Sequence, residues 1–176
     1  MSFAGNRSAI VVPVRLPKPL EQIRLAHVDN ARLDVPAHVT LLFPFLAPAS
    51  IDTVALAALA DAMARTPPFW VAFRRVETFD PGPTPEGVAW LAPDPAAPFA
   101  AMTRALTDAF PGLLPYGGMH DEVIPHLTLA NVDVDLAAIR AEAGTYLPFR
   151  RHVDSAALLV ESLTGRWRIG RRMVLG

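Results

Sequence analysis

The chain contains no cysteine among its 176 residues. Disulfide frameworks, thiolate metal sites and thiol nucleophiles are therefore excluded. The chain also lacks a long apolar stretch, because the run from Val54 to Ala60 ends at Asp61, well short of a membrane span. No basic leader followed by an apolar segment is present near Met1. We therefore expect a cytoplasmic protein with no membrane partner.

A strong charge of one sign is also missing. Sixteen basic and seventeen acidic residues give a net charge of -1, which argues against a protein that coats duplex DNA by neutralising its phosphates. The basic residues are unevenly placed, since the segment 150–172 has six arginines and two acids, a net charge of +4. A small or terminal nucleic-acid substrate stays open, although a solvated basic face is the simpler interpretation of that segment.

The composition is typical of a compact fold. Hydrophobic residues make up 52% of the chain and charged residues 19%, and this length fits one domain with a sizeable core. The sequence has no Walker-type loop, no G-x-G-x-x-G element and no G-x-S-x-G elbow, so these nucleotide-binding and serine-hydrolase functions have no support. We expect a single domain over 1–176 and a monomer.

Strands and helices are predicted in a similar order in the two halves of the chain. The first half has a strand over 8–16, a helix opened by Pro19, a strand over 38–45, a helix over 50–65 and strands over 69–79 and 87–91. The second half has a helix over 96–110, a strand over 126–132, a short helix capped by Asp133 or Asp135 and strands over 153–162 and 166–175. In the helix over 50–65, we predict Ser50 as the N-cap and Val54 on the buried face. The order indicates an α+β fold of two similar lobes, with antiparallel sheets and outer helices.

A short motif with histidine and threonine occurs once in each half. PAHVTLLF at 36–43 and IPHLTLAN at 124–131 share a proline just upstream, then His, an aliphatic residue, Thr and Leu. Five histidines and ten threonines are not expected to give two such copies by chance. The histidines lie 88 positions apart, which exceeds the period of stacked repeats, so we interpret the pair as a duplicated site element.

Each motif places an imidazole and a hydroxyl on one face of a strand. Side chains alternate along a strand, so His38 and Thr40 share a face, as do His126 and Thr128. Phosphodiester cleavage needs a proton acceptor, a proton donor and hydrogen-bond donors to the phosphate oxygens. Two imidazoles with pKa values near 6.5 suit the acceptor and donor roles. We therefore expect the rate to depend on pH in a bell-shaped profile, with an optimum between about pH 5.5 and 7.5. The set predicts a phosphodiesterase that requires no metal or other cofactor.

The sequence resembles the two-histidine (2H) phosphoesterases, and within them the 2′-5′ RNA ligase-like proteins. The resemblance rests on HVTL at 38–41 and HLTL at 126–129. It is supported by the spacing of these motifs, by the chain length, by Phe-Pro-Phe at 43–45 and by PYGG at 115–118. It implies a bilobal fold whose lobes bring the motif strands together across a central cleft.

The resemblance also implies roles for the motif residues. His38 and His126 are implied as catalytic residues, Thr40 and Thr128 as phosphate ligands, and metal is not used. The implied substrates are RNA ends with a 2′,3′-cyclic phosphate, 2′-5′ linkages or small nucleotide phosphodiesters. In the RNA-ligase branch an arginine often follows the second motif, where this chain has Asn131.

Two further residues are candidates for substrate binding. Tyr116 lies in the loop before the second motif and could stack on a base, although a tyrosine that covers apolar surface is the simpler interpretation. Trp167 and Arg168 are neighbours in the last predicted strand, so only one of them can face the site. We predict that this residue is Arg168, as a phosphate ligand.

Two other functions fit the residue types. His120, Asp121 or Glu122 and His126 could form a metal-dependent hydrolase site, although their spacings match no familiar metal signature. The same fold could instead bind a nucleotide or an RNA end without turnover. Bound zinc near one equivalent would favour the first function, and tight binding of a nucleoside monophosphate without hydrolysis would favour the second.

Overall fold

The computed structural model describes residues 7–79, 87–119, 123–131 and 135–176. These residues form eight strands and four α-helices. In chain order the elements are β1 (Ser8–Pro13), α1 (Lys18–His27), β2 (His38–Leu42), α2 (Thr53–Met63), β3 (Phe69–Phe79), β4 (Val88–Asp94), α3 (Ala97–Ala109), β5 (Leu127–Ala130), α4 (Leu136–Gly144), β6 (Phe149–Val153), β7 (Ser155–Glu161) and β8 (Trp167–Val174). The predicted α+β class is confirmed. None of the described helices is long and apolar enough to cross a membrane.

The strands form two four-stranded antiparallel sheets. Sheet A has the order β2-β1-β7-β8, and sheet B has the order β5-β4-β3-β6. Each sheet has one motif strand at an edge, β2 in sheet A and β5 in sheet B, and these two strands pack against each other. The two similar sheets therefore place the two motifs at the centre of the molecule.

Each sheet buries one face against helices. α2 and α3 contact sheet A, and α1 and α4 contact sheet B, around one core that includes the inner side chains of both sheets. Because side chains alternate, the other face of each sheet points away from this core, and we call it the open face. The open face of sheet A carries a small apolar cluster of Ala9, Val11, Ala157, Leu159 and Trp167. The open face of sheet B carries Thr128, Trp90, Glu77, Ala72 and Trp70.

Aspartate side chains cap the N-termini of two helices. Asp52 precedes α2, and its Oδ1 accepts a hydrogen bond from the Ala55 amide at 2.8 Å. Asp135 precedes α4 and accepts hydrogen bonds from two amides of the first turn. Such caps satisfy amides that have no partner inside the helix. Asp135 was one of the two predicted caps of α4, and Asp133, the other, lies outside the described residues.

The predicted start of α2 was wrong. Ser50 ends a 3₁₀ turn over Pro48–Ser50, and the helix starts behind Asp52, whose extended backbone and carboxylate suit the cap position. The buried face consists of Ala55, Leu59, Ala62 and Met63, at spacings of four, three and one. Val54 lies about 100° from Ala55 around the helix axis, and it is 74% exposed.

Strand boundaries in the second half also differ from the prediction. β6 was not predicted from the sequence, because Arg150, Arg151 and His152 interrupt its apolar pattern. β6 is an edge strand, and charged side chains are typical of such strands. In the first half, β2 ends at Leu42, earlier than predicted.

Candidate active site

The two motif strands bring their polar side chains to one cavity of about 530 Å³. Its lining includes His38 and Thr40 from β2, His126 directly before β5, and Thr128 from β5. The alternate motif residues Val39, Leu41, Leu127 and Leu129 are at most 1% exposed and lie in the core. The aliphatic residues of each motif therefore anchor the strand, and the four predicted polar residues meet in the cavity.

Both histidine rings are held by the carbonyl group two residues before them. Nδ1 of His38 lies 2.7 Å from the carbonyl oxygen of Pro36, and Nδ1 of His126 lies 2.7 Å from that of Ile124. A carbonyl oxygen only accepts hydrogen bonds, so Nδ1 carries the proton in each neutral ring. The nitrogen that exchanges a proton with a substrate is therefore Nε2 in both histidines.

The two rings have different surroundings. The pKa of His38 is lowered from 6.5 to about 4, mainly by burial. The hydrogen bond to the Pro36 carbonyl opposes this shift, and the nearby charges of Arg24 and His126 add to it. His38 is therefore neutral at physiological pH. The ring of His126 lies edge-on to Phe79 and Trp90, with centroid distances of 5.1 and 5.9 Å.

Tyr116 reaches the cavity from the loop before the second motif. It lines the cavity, and its side chain forms a hydrogen bond with Thr40. Burial raises the pKa of Tyr116, so the phenol stays protonated. Its backbone has φ 53°, in the left-handed region that is uncommon for residues other than glycine, and its amide donates a hydrogen bond to the Phe43 carbonyl at 2.5 Å. These contacts tie the loop to the end of β2.

Arg24 of α1 lies at the candidate site and was not predicted from the sequence. It lines the cavity although it is only 4% exposed, and its Nε and Nη2 donate hydrogen bonds to Glu21 at 3.0 and 2.6 Å. A signal was present in the sequence, because Arg24 lies four positions after Leu20 and so on the apolar face of the helix. An arginine on a buried helix face is rare unless it is paired, and here it adds positive charge to the cavity wall.

Asn131 fastens the end of α1 to the second motif strand. The backbone amide of Asn131 donates a hydrogen bond to the His27 carbonyl at 2.8 Å. Its side-chain Oδ1 accepts a hydrogen bond from the backbone amide of Asp29 at 3.2 Å. Asn131 and Asp29 both line the cavity. The contact therefore fixes the position of the helix that carries Arg24 relative to β5.

Sheet A contributes Trp167 to the cavity, where Arg168 had been predicted. Trp167 is 8% exposed and belongs to the apolar cluster on the open face of sheet A, whereas Arg168 is exposed and does not line the cavity. The apolar surroundings of Ala9 and Leu159 explain why the indole takes the inner position. The guanidinium of Arg7 lies 5.5 Å from the Trp167 ring centroid.

Most residues of the alternative metal site lie outside the described part of the chain. His120, Asp121 and Glu122 lie outside the described residues. Within the described part of the chain, no three His, Asp or Glu side chains cluster closely enough to hold a metal ion.

Comparisons with known proteins agree with this architecture. Among solved structures, the chain is similar to TT0787 of Thermus thermophilus, at 20% identity and a TM-score of 0.64 over 96% of this chain and 97% of that chain. It is similar to apo LigT of E. coli, at 17% identity and a TM-score of 0.56 over 98% of both chains. LigT in complex with 3′-AMP gives 17% identity and a TM-score of 0.55 over 98% of both chains. No curated protein matches the chain.

The similarity to these structures shows the fold, and the family is shown by the sequence. A family model described as the 2′-5′ RNA ligase superfamily matches residues 12–170, which is most of the chain. The chain therefore belongs to the 2′-5′ RNA ligase superfamily of 2H phosphoesterases, a membership that implies phosphodiesterase-type activity.

Proposed function

We propose that the protein is a metal-independent phosphodiesterase that opens 2′,3′-cyclic phosphates at RNA ends or in nucleotides. A 2′-5′ linkage or a related nucleotide phosphodiester is the alternative substrate. The proposal rests on one observation, namely two histidines with Nδ1 held by a carbonyl group, in one cavity with two threonine hydroxyls. The complex of the structurally similar LigT with 3′-AMP supports a nucleotide substrate.

His38 is the base in this proposal, and His126 is the acid. The lowered pKa of His38 keeps its Nε2 unprotonated. This nitrogen takes a proton from water, whose oxygen attacks the phosphorus. The bond from phosphorus to one ribose oxygen breaks, and His126 donates the proton on its Nε2 to that oxygen. The products are a phosphomonoester and a ribose hydroxyl, and the histidines return to their starting states by proton exchange with solvent.

The threonines and Arg24 stabilise the phosphate charge. The hydroxyls of Thr40 and Thr128 are hydrogen-bond donors on the cavity wall, where they face the non-bridging oxygens. Tyr116 orients the hydroxyl of Thr40 through their hydrogen bond. Arg24 supplies the positive potential that favours an anionic substrate.

A substrate screen in chelator tests the proposal. The four 2′,3′-cyclic nucleotides and a 2′-5′ dinucleotide are incubated with the protein in excess EDTA, and phosphorus NMR identifies the products. We expect the cyclic phosphates to give one monophosphate regioisomer at a rate that the chelator does not change. Activity that is lost in EDTA and restored by zinc would contradict the proposal. Tight binding of a nucleoside monophosphate without any hydrolysis would instead indicate a binding module.

A further inference from the structure

Aromatic and basic side chains lie together on sheet B, outside the cavity. Trp70 of β3 is 56% exposed, which is unusual for so large an apolar ring. The imidazole of His152 and the guanidinium of Arg150, both from β6, lie 5.2 Å from the centroid of this ring. We call these three residues the Trp70 cluster.

The Trp70 cluster shares the open face of sheet B with the second motif. Thr128 pairs with Trp90 of β4, and Asp94, four positions further along β4, pairs with Ala72 of β3. Trp70 lies two residues before Ala72 and therefore points to the same side of the sheet. Thr128 and the Trp70 cluster therefore lie on the same face of sheet B.

The positive charge of the cluster comes from Arg150. Arg74 of β3 is exposed and pairs with Asp94 at 3.3 Å. Among the residues that the structure describes, no carboxylate forms an ion pair with Arg150, whose guanidinium contacts the Trp70 ring. An exposed indole beside an arginine that no described carboxylate neutralises is a suitable surface for a flat ring with an adjacent anion.

We propose that the Trp70 cluster binds a nucleobase and a phosphate of a single-stranded RNA whose terminal phosphodiester occupies the cavity. The inference rests on the proposed function and adds that the substrate is an oligonucleotide. Trp70 stacks on the base, and Arg150 and His152 bind the phosphate, which is the usual division of roles on single-strand binding surfaces.

The sheet geometry sets the length of RNA that reaches the cluster. β6 is three strands away from β5, and Arg150 pairs with Ala72, beside Asp94. Strand spacing and residue rise then place the cluster about 15 to 20 Å from His126. Since stacked nucleotides rise about 3.4 Å along a strand, the cluster lies on the order of four to six nucleotides from the reacting phosphate. A mononucleotide does not reach it, and a hexanucleotide does.

Two measurements on the whole protein test the inference. The first is KM for a cyclic mononucleotide and for a hexaribonucleotide that ends in a 2′,3′-cyclic phosphate. The second is Kd for a fluorescent hexaribonucleotide with a 3′-phosphate, measured by anisotropy. We expect Trp70→Ala to raise the hexanucleotide KM relative to the mononucleotide KM, and to raise Kd, by roughly 5- to 150-fold. Trp70→Phe, which keeps an aromatic face, should recover most of the loss.

Control variants separate this role from a general effect of surface residues. Tyr146→Ala removes another exposed aromatic ring, and Arg104→Ala removes an exposed arginine of α3. Both should keep the wild-type ratio of KM values. Arg150→Ala should raise Kd and lower the slope of log Kd against log salt by about one, which identifies a phosphate contact.

The possible outcomes distinguish this inference from the proposed function. Equal Kd values for Trp70→Ala and the wild type, with a circular dichroism spectrum that confirms folding, would overturn the inference whether or not turnover is seen. Absence of mononucleotide hydrolysis would overturn the proposed function alone, because hexanucleotide binding is measured separately.

Discussion

The acidic limb of the rate profile tests the role of His38. Its pKa is lowered from 6.5 to about 4, a difference of 6.5 − 4 or about 2.5 units, which corresponds to about 3.4 kcal/mol against protonation. A base must be neutral to accept a proton, so kcat/KM for a 2′,3′-cyclic mononucleotide should remain high as the pH falls through 6. Half of the limiting value should be lost only near pH 4, well below the limb that two ordinary imidazoles predict.

A paired substitution ties this limb to the structure. Arg24→Met together with Glu21→Gln removes the cation beside His38 without leaving an unpaired carboxylate. The pKa of His38 should rise but stay below 6.5, because burial is the first cause of the shift and persists. The limb should move to higher pH by the same amount as the His38 resonance in an NMR titration of the free protein, and KM should increase. Arg104→Met is the control, since this exposed arginine lies on α3.

A wild-type limb near pH 6.5 would refute the assignment of His38 as the base. An acidic limb at the same pH in the variant without Arg24 would show that the Arg24 charge does not act on the His38 ring. Agreement between kcat/KM and the NMR titration is required, because both report groups of the free protein.

The structure supports further predictions for the phosphate donors, for stability against acid and for a helix cap. Thr40→Val and Thr128→Val should each lower kcat, because each deletes one hydrogen-bond donor to the phosphate. The activation free energy should rise by less than about 3 kcal/mol, and circular dichroism should show an intact fold. The free energy of unfolding should decrease as the pH falls from 6.5 to about 4, because the unfolded chain protonates His38 before the folded protein does. His38→Gln should remove up to about 3 kcal/mol of that decrease in urea titrations at several pH values, and an unchanged slope would contradict the low pKa. Asp52→Ala should cost about 0.5 to 2 kcal/mol of unfolding free energy, because Asp52 caps α2, whereas Ser50→Ala should cost far less.

Much of the fold could be predicted from the sequence, because local patterns carry it. The helix predicted over 96–110 is α3, which buries Phe99, Met102 and Leu106 at helical spacing. β6 was missed because edge strands carry charged residues, so their pattern resembles that of a loop. Residue type alone predicts Ser50 as the cap, but Asp52 has the extended backbone that the cap position requires.

The candidate site was predictable only where a motif repeats. The duplicated His-x-Thr pattern identified four residues that the structure brings to one cavity. Arg24 and Trp167 reach the same cavity from elements distant in sequence, through tertiary packing. The apolar face of α1 marked Arg24 as buried, but no local pattern showed that it meets the motif residues. The alternation rule correctly separated Trp167 from Arg168, but it could not show which of them faces the apolar cluster of sheet A.

A double-mutant cycle on the two histidines tests the central claim most directly. His38→Ala, His126→Ala and the double variant are assayed with a 2′,3′-cyclic mononucleotide in EDTA, beside His27→Ala as a histidine variant outside the cavity lining. Each active-site substitution should reduce kcat by about 10²- to 10⁴-fold, and His27→Ala should retain the wild-type rate. The double variant should lose far less than the product of the two single losses, because the base and the acid act in one step. Wild-type turnover in either single variant, or fully multiplicative losses, would contradict a paired acid and base at His38 and His126.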